Sequence, residues 1–303
     1  MTKKFVGHAK NWERLTAEMN EGHLPPAYLF CGPQGIGKRM VADHFVAALF
    51  CRNRKESYPC GGCVSCVKIS SGNHPDFSLL ECLSHSIKID EVRDLVARLY
   101  RAPLEAPLKI VLIDDAHELT NQAANALLKV LEEPPKATLF ILITPNLFQI
   151  LPTIRSRCRK LVFAPPTLEE GRRCLEGREG LDLEKIPHLL AQSGGIPGTA
   201  LTLSEEPYLQ SLAEWEELKT AAQKPFSRIS DVAQEWAGRE FNLSLFLETI
   251  KRGLVREMID QRHFDGIEQA DALSSAQRDL DRNVNKLLVL ENLLLQLTNR
   301  EVC

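Results

Sequence analysis

The chain has 303 residues, 44% of them apolar and 25% charged, which is the profile of a globular protein able to bury the cores of two or three domains. No apolar run approaches the length of a membrane span, and the polar start Met1-Thr-Lys-Lys lacks the hydrophobic segment of a signal peptide, so the expected compartment is the cytoplasm, with no membrane partner. A net charge of −3 excludes a general electrostatic pull on nucleic acid, and nine cysteines in a reducing compartment argue against a disulfide framework and for metal binding where they cluster.

Before residue 27 the patterned stretch is helix-like, from Asn11 to Met19, ending near Gly22 and Pro25. Tyr28 to Cys31 suits a buried strand, and Val41, Phe45, Val46 and Leu49 repeat at helical spacing. Gly32-Pro-Gln-Gly35-Ile-Gly37-Lys38 therefore lies between a strand and a helix, the context of a phosphate-binding loop. Glycines at Gly32, Gly35 and Gly37 let backbone N–H groups curl around an anion, and Lys38 would set a point charge on the outer phosphates. The residue after the lysine should be Ser or Thr, whose hydroxyl holds Mg²⁺; here it is Arg39, a fixed cation with no acceptor. The loop points to nucleotide binding, ATP or ADP, while Arg39 argues against Mg²⁺ and metal-assisted hydrolysis.

Cys51, Cys60, Cys63 and Cys66 follow, separated by eight, two and two residues. Two tight C-x-x-C turns sharing Cys63, with a cysteine at a helix end, can converge on one tetrahedral ion, and structural Zn²⁺ is the reading. A ferredoxin-type cluster would want a further cysteine and proline soon after Cys66, which are absent. His74, in Asn73-His74-Pro75-Asp76, reads as structural rather than catalytic. Phe77 to Glu81 is a second strand candidate, and Lys88 to Leu99 an amphipathic helix with Asp90 as its N-cap. Lys109 to Ile113 is an apolar strand ending in Asp114 and Asp115. In a P-loop enzyme the first such carboxylate holds Mg²⁺ and a following Glu orients water; Asp115 is one methylene shorter, which sets its carboxylate back.

Thr120 to Glu133 forms a strong helix stopped by Pro134-Pro135, while Thr138 to Thr144 and Lys160 to Phe163 supply a fourth and fifth strand. Apolar strands alternating with helices describe an α/β domain whose parallel sheet is covered on both faces. Between the last two strands lie Arg155, Arg157 and Arg159, which composition alone assigns to a solvated basic face. After Pro165-Pro166 the pattern turns helical, with Thr167 and Glu170 as a capping-box pair and short helices up to Leu201. From Pro207 onward the patterned stretches are helical, with one core stripe at Leu243, Phe246, Leu247, Ile250 and Leu254 and another at Leu287, Leu290, Leu294 and Leu297.

With the P-loop, the cysteines, Ala124-Asn-Ala-Leu-Leu-Lys129-Val-Leu-Glu-Glu-Pro-Pro135 and Ser156-Arg157-Cys158 assembled, the chain resembles the AAA+ clamp-loader subunits of the bacterial replicative DNA polymerase over nearly its whole length. The resemblance implies a nucleotide-binding domain over residues 1–165 with a zinc module at 51–66, an all-α lid over 166–205, and an all-α collar over 206–303 that joins five subunits in an open ring. It implies that Arg157 is an arginine finger reaching ATP on a neighbouring subunit. The expected partners are the other loader subunits, with the sliding clamp and primer-template DNA engaged through the assembly. Motor subunits of that ring carry Ser or Thr after the P-loop lysine, Glu after the first strand-end carboxylate, a polar sensor ten positions before Ser-Arg-Cys and an arginine in a Gly-x-x-Arg lid motif. This chain has Arg39, Asp115, Pro145 and Gly198 there. Four hydrolysis positions depart together while the finger stays, which is similar to the stator, or delta-prime, type, with little or no ATPase of its own. A hydrolysing gamma/tau-type motor and a zinc-containing nucleic-acid-binding P-loop regulator are the alternatives.

Overall fold

A computed structural model of the chain describes residues 6–298 apart from 56, 83–85, 177, 179–180, 205, 223–227 and 282–283; between 239 and 265 it describes Leu243, Phe246, Leu247, Ile250, Lys251, Leu254, Val255 and Met258. Five strands, β1 (Ala27–Cys31), β2 (Phe77–Leu80), β3 (Lys109–Ile113), β4 (Thr138–Thr144) and β5 (Arg159–Val162), form one sheet in the order β2-β3-β4-β1-β5. Every pairing is parallel. Continuous apolar runs make the inner strands, because both faces are covered: β1 is buried throughout, and β4 at all but its first residue. The edge strands leave Leu79 and Val162 exposed.

The two-residue side-chain period splits the core. Tyr28, Phe30, Ile110, Leu112, Ile141 and Ile143 face one way, against α1 (Ala9–Asn20) and α2 (Lys38–Phe50). Leu29, Val111, Ile113, Phe140 and Leu142 face the other way, against α4 (Ile89–Leu99), α5 (Asn121–Glu132) and α6 (Pro152–Arg157). A short α3 (Val64–Ser70) completes the set around the sheet. Helix α1 is held by charge as well as by packing. Glu18, nearly buried, accepts from the Tyr28 hydroxyl at 2.6 Å and from Arg159 at 2.6 Å, with Arg14 at 3.2 Å.

Chain order places a binding crevice. From β1 the chain runs to the far edge, returns through β3 and β4 to the neighbouring position, then crosses to β5 on the other side of β1. The strand order thus reverses about β1, and ligands of open α/β sheets bind outside the carboxyl ends of strands at such a point.

Helix starts follow local chemistry. Thr120 caps α5 by accepting from Ala123 N–H at 3.2 Å, and Thr167 and Glu170 form the reciprocal box that opens α7 (Leu168–Leu175). Asp90 is not the cap of α4. The cap lies two residues earlier, at Lys88, and Glu91 accepts from the Lys88 N–H at 2.7 Å, so Asp90 sits in the first turn, where a negative charge suits the helix dipole.

The chain divides into two compact units, Met1–Leu190 with Gly194–Thr199, and Ala191–Ser193 with Ala200–Cys303. The second is helical among its described residues. Helix Lys286–Thr298 packs against Glu206–Ala222, Ile229–Ala237 and Ile267–Asp281, and buries Val289, Leu290, Leu293 and Leu294. Trp215, Trp236, Leu243, Phe246, Leu247 and Ile250 fill the same core. Among the described residues no helix is long and apolar enough to cross a membrane.

Candidate functional site

The loop from Gly32 to Gly37 joins the end of β1 to the start of α2 and is held by its neighbours. Gly32 N–H donates to Thr144 O at the end of β4 at 3.3 Å, and His8 Nε2 lies 2.7 Å from Ile36 O. Lys38 is buried, and its ammonium donates to Gly32 O at 2.5 Å and Pro33 O at 2.8 Å. Burial lowers its pKa, against the opposing charges of Asp114, Cys31 and Asp115. The lysine here is curled onto the loop's own carbonyls.

The segment around Gly198 touches the same loop. Gly198, near the start of the helix Pro197–Ser204, donates its N–H to Gly35 O at 2.9 Å. A Cβ on Gly198 would stand 2.5 Å from that oxygen, and Gly35 itself has φ +78°, so this backbone-to-backbone contact needs glycine on both sides. Position 198 has no room for a side chain of any kind.

Asp114 and Asp115 lie just beyond β3. Asp114 Oδ2 accepts from Arg39 Nη1 at 2.8 Å, and its Oδ1 accepts from the Asp115 N–H at 3.1 Å. Asp115 is left-handed, with φ 49°, which costs on the order of 1 kcal/mol for a residue with a side chain, and its carboxylate is 4.0 Å from His117 Nδ1. Burial raises its pKa, and the adjacent Asp114 charge adds to the effect. Arg39 reaches further than the sequence indicated. Its Nε donates to both oxygens of Asp43 at 3.0 and 3.1 Å, and its Nη1 is also 2.5 Å from Glu81 Oε1. Asp43 and Glu81 were missed by motif reading because neither belongs to the motif; the i,i+4 spacing of Arg39 and Asp43 on α2 was the available signal. At the end of β4, Pro145 offers only its carbonyl, to Cys31 Sγ at 4.0 Å.

The arginine-rich run resolves into three separate environments. Arg159 is committed to Glu18, and Arg155 lies 5.7 Å over the ring of the exposed Phe148. Arg157, at the end of α6, donates to Thr153 O at 2.8 Å, Ser156 Oγ at 3.3 Å and Glu132 Oε1 at 2.6 Å. That ion pair is open to solvent on one side, with both side chains partly exposed.

The cysteines come together. Cys51 follows α2, Cys63 caps α3, and Cys66 lies in the first turn of α3. The four Sγ atoms are all within 4.8 Å of one another, and no other group of that kind occurs among the described residues. The Cys51–Cys63 sulfur distance is 3.9 Å; ligands about 2.3 Å from a tetrahedral Zn²⁺ stand about 3.8 Å apart, so the donor set fits that ion. Backbone N–H groups of Cys60 and Cys63 donate to Cys51 Sγ at 3.2 Å and Cys60 Sγ at 3.3 Å, and the N–H groups of Gly62 and Cys63 hold the Cys60 thiol below its ordinary range. Four thiolate ligands leave no open position for water. His74 stacks on Phe50 at 4.4 Å between centroids, its Nδ1 accepts the Asp76 N–H at 3.2 Å, and Asp76 accepts three N–H groups, from Leu104, Glu105 and Ala106. This cluster braces the loop before β3.

The family model described as DNA polymerase III, delta subunit, matches residues 7–167. A DNA polymerase III subunit delta' of Pseudomonas aeruginosa is 36% identical over 231 residues, 74% of this chain and 69% of that protein. A DNA polymerase III subunit gamma/tau of Mycobacterium bovis is 34% identical over 211 residues, 67% of this chain, and the match spans 36% of that longer protein. In fold the chain is similar to the crystal structure of a DNA polymerase III gamma subunit-related protein from Thermotoga maritima, with a TM-score of 0.56 at 19% identity, covering 96% of this chain and 99% of that one.

Proposed function

We propose a role that proceeds from a plain premise: this chain belongs to the DNA polymerase III delta family, as a delta' subunit of the clamp loader. Its role is that of the stator, which completes a neighbour's ATPase site and performs no hydrolysis itself. The functional division follows that role, with a nucleotide-type domain over 1–165, a lid over 166–205 and a collar over 206–303 that joins it to gamma/tau-type subunits in a five-membered ring. Through that ring it acts on the sliding clamp and primer-template DNA.

One observation carries the reading. The same chain holds Arg39 against the carboxylate that would ligate Mg²⁺, at 2.8 Å from Asp114, and keeps Arg157 at a solvent-facing helix end. Chemistry at its own loop lacks a metal ligand at Arg39 and an arginine at Gly198, whereas a planar, permanently charged donor fork remains for a phosphate elsewhere. The four-cysteine site would hold Zn²⁺ as a structural ion that orders residues 51–66 and takes no part in hydrolysis.

A motor role is favoured by one finding, the 34% identity to gamma/tau. Turnover decides between the two. The isolated chain is expected to hydrolyse ATP no faster than its Lys38→Ala variant. A rate comparable with that of an active loader motor, abolished by Lys38→Ala, overturns the stator role.

A further inference from the structure

We propose that Arg39 is a built-in counter-cation that takes over the structural task of Mg²⁺ in this domain, tying α2 to the ends of β2 and β3 so that the crevice keeps its geometry without metal or nucleotide. In hydrolysing P-loop proteins the hydroxyl after the lysine and the first carboxylate after the β3-type strand meet through Mg²⁺, which bridges the P-loop helix to the sheet only while nucleotide is bound. In this chain the same two positions are joined directly, Arg39 Nη1 to Asp114 Oδ2 at 2.8 Å. The link is permanent because the guanidinium cannot leave and does not lose its proton.

Two further carboxylates make the arrangement more than a surface pair. Asp43, one turn along α2, takes the Nε hydrogen bond at 3.0 Å, and Glu81, the residue after β2, meets Nη1 at 2.5 Å. Three acidic groups from three elements thus converge on one cation, and without it they would repel one another across the crevice. The side chains of Arg39 and Asp114 are 30% and 22% exposed, enough shielding for that repulsion to be felt. Lysine would not serve, because a single ammonium cannot present separated donors in one plane to Asp43 on one edge and to Glu81 and Asp114 on the other. The inference rests on the contacts of Arg39 and not on the trans role of Arg157, so either can fail alone.

The test uses the full chain in chelator-free buffer, which leaves the four-cysteine module undisturbed. Thermal midpoints are measured with and without millimolar MgCl₂ for wild type, Arg39→Thr, and Arg39→Thr combined with Asp114→Asn. Wild type should not respond to Mg²⁺. Arg39→Thr should melt about 5 °C lower in its absence and regain at least about half of that loss when it is added, because the ion then neutralises the carboxylates of Asp43, Glu81 and Asp114 without nucleotide, while the double variant should lose less and respond less. Independently of how the variants fold, Mn²⁺ titrated into wild type and followed by its electron paramagnetic resonance signal should find no site that Asp114→Asn removes. An Arg39→Thr midpoint equal to wild type, a wild-type midpoint that rises with Mg²⁺, or an Asp114-dependent Mn²⁺ site in wild type would each overturn the proposal.

Discussion

Replacing Arg157 with alanine in a reconstituted loader is expected to slow ATP hydrolysis at one subunit interface by roughly 10³ to 10⁵, or about 4 to 7 kcal/mol of barrier, the usual worth of an arginine finger in phosphoryl transfer. If the neighbour sites keep their own fingers, clamp loading should be impaired while total ATPase falls only in part. The geometry explains why this residue and not its neighbours. Arg159 is tied to Glu18 and Arg155 lies over Phe148, whereas Arg157 stands at the end of α6 with a partly exposed carboxylate, Glu132, as its partner. An exposed pair of this kind is worth little, typically under about 1 kcal/mol, so a phosphate can displace Glu132 at small cost. Rings carrying wild type and Arg157→Ala are compared after each is checked for intact assembly. Equal loading rates and equal DNA-stimulated ATPase would leave Arg157 a surface residue of the subunit contact.

The second large effect concerns the cysteines. Protein purified without chelator is expected to contain one zinc and no iron per chain, and Cys63→Ser or exhaustive chelation should unfold residues 51–66. Structural zinc typically contributes about 10 to 16 kcal/mol of apparent binding free energy, which appears as folding energy of the segment it closes. Besides the cysteines, the module is held by Tyr58, whose ring lies 5.0 Å from that of Trp12, and by the buried Ser65, while Val64 and Val67 of α3 are exposed. The sheet core should survive, because it is built from β1, β3, β4 and the helices on either face. Limited proteolysis before and after metal removal reads this directly: new cleavage confined to the module is expected. A stoichiometric iron content, or an unchanged digestion pattern in metal-free protein, contradicts a structural zinc site.

Much of the fold was legible because the strands are continuous apolar runs. Thr138–Thr144 is the strand that its composition suggests, residue for residue, and Pro134-Pro135 stops α5 as proline should. The predicted fifth strand begins one residue late, because Arg159 pairs in the ladder although its side chain turns out to Glu18. Asp90 misled for a related reason: N-cap preference is strong for aspartate, but the reciprocal bond from Glu91 to the Lys88 N–H moved the start of α4 back. Helix α3 was invisible in the sequence, since a seven-residue helix between metal-ligand candidates carries too little periodicity to register.

At the crevice, motif spacing located the loop, the strand-end carboxylates and the cysteine cluster, but not what these groups do to one another. The i,i+4 spacing of Arg39 and Asp43 signals one pair on α2, but nothing in the sequence indicates that Arg39 also joins Glu81 and Asp114, which reach it only when the sheet brings separate segments together. The contact of Gly198 with Gly35 was equally hidden: the sequence shows a missing arginine, whereas the structure shows a backbone contact that leaves no space for one. Likewise Glu132 reads as part of a helix end and becomes visible as the partner of Arg157 only through the packing of α5 and α6.

As a delta' subunit, this chain is expected to work as one fixed member of a loader ring. The measurement that tests it most directly is native mass spectrometry of the chain mixed with purified gamma/tau and delta subunits from the same organism. The account predicts a stable five-membered assembly containing a single copy of this chain, which does not form when it is left out. A chain that stays alone in every mixture, or that enters the ring in several copies in place of the motor subunits, would contradict it.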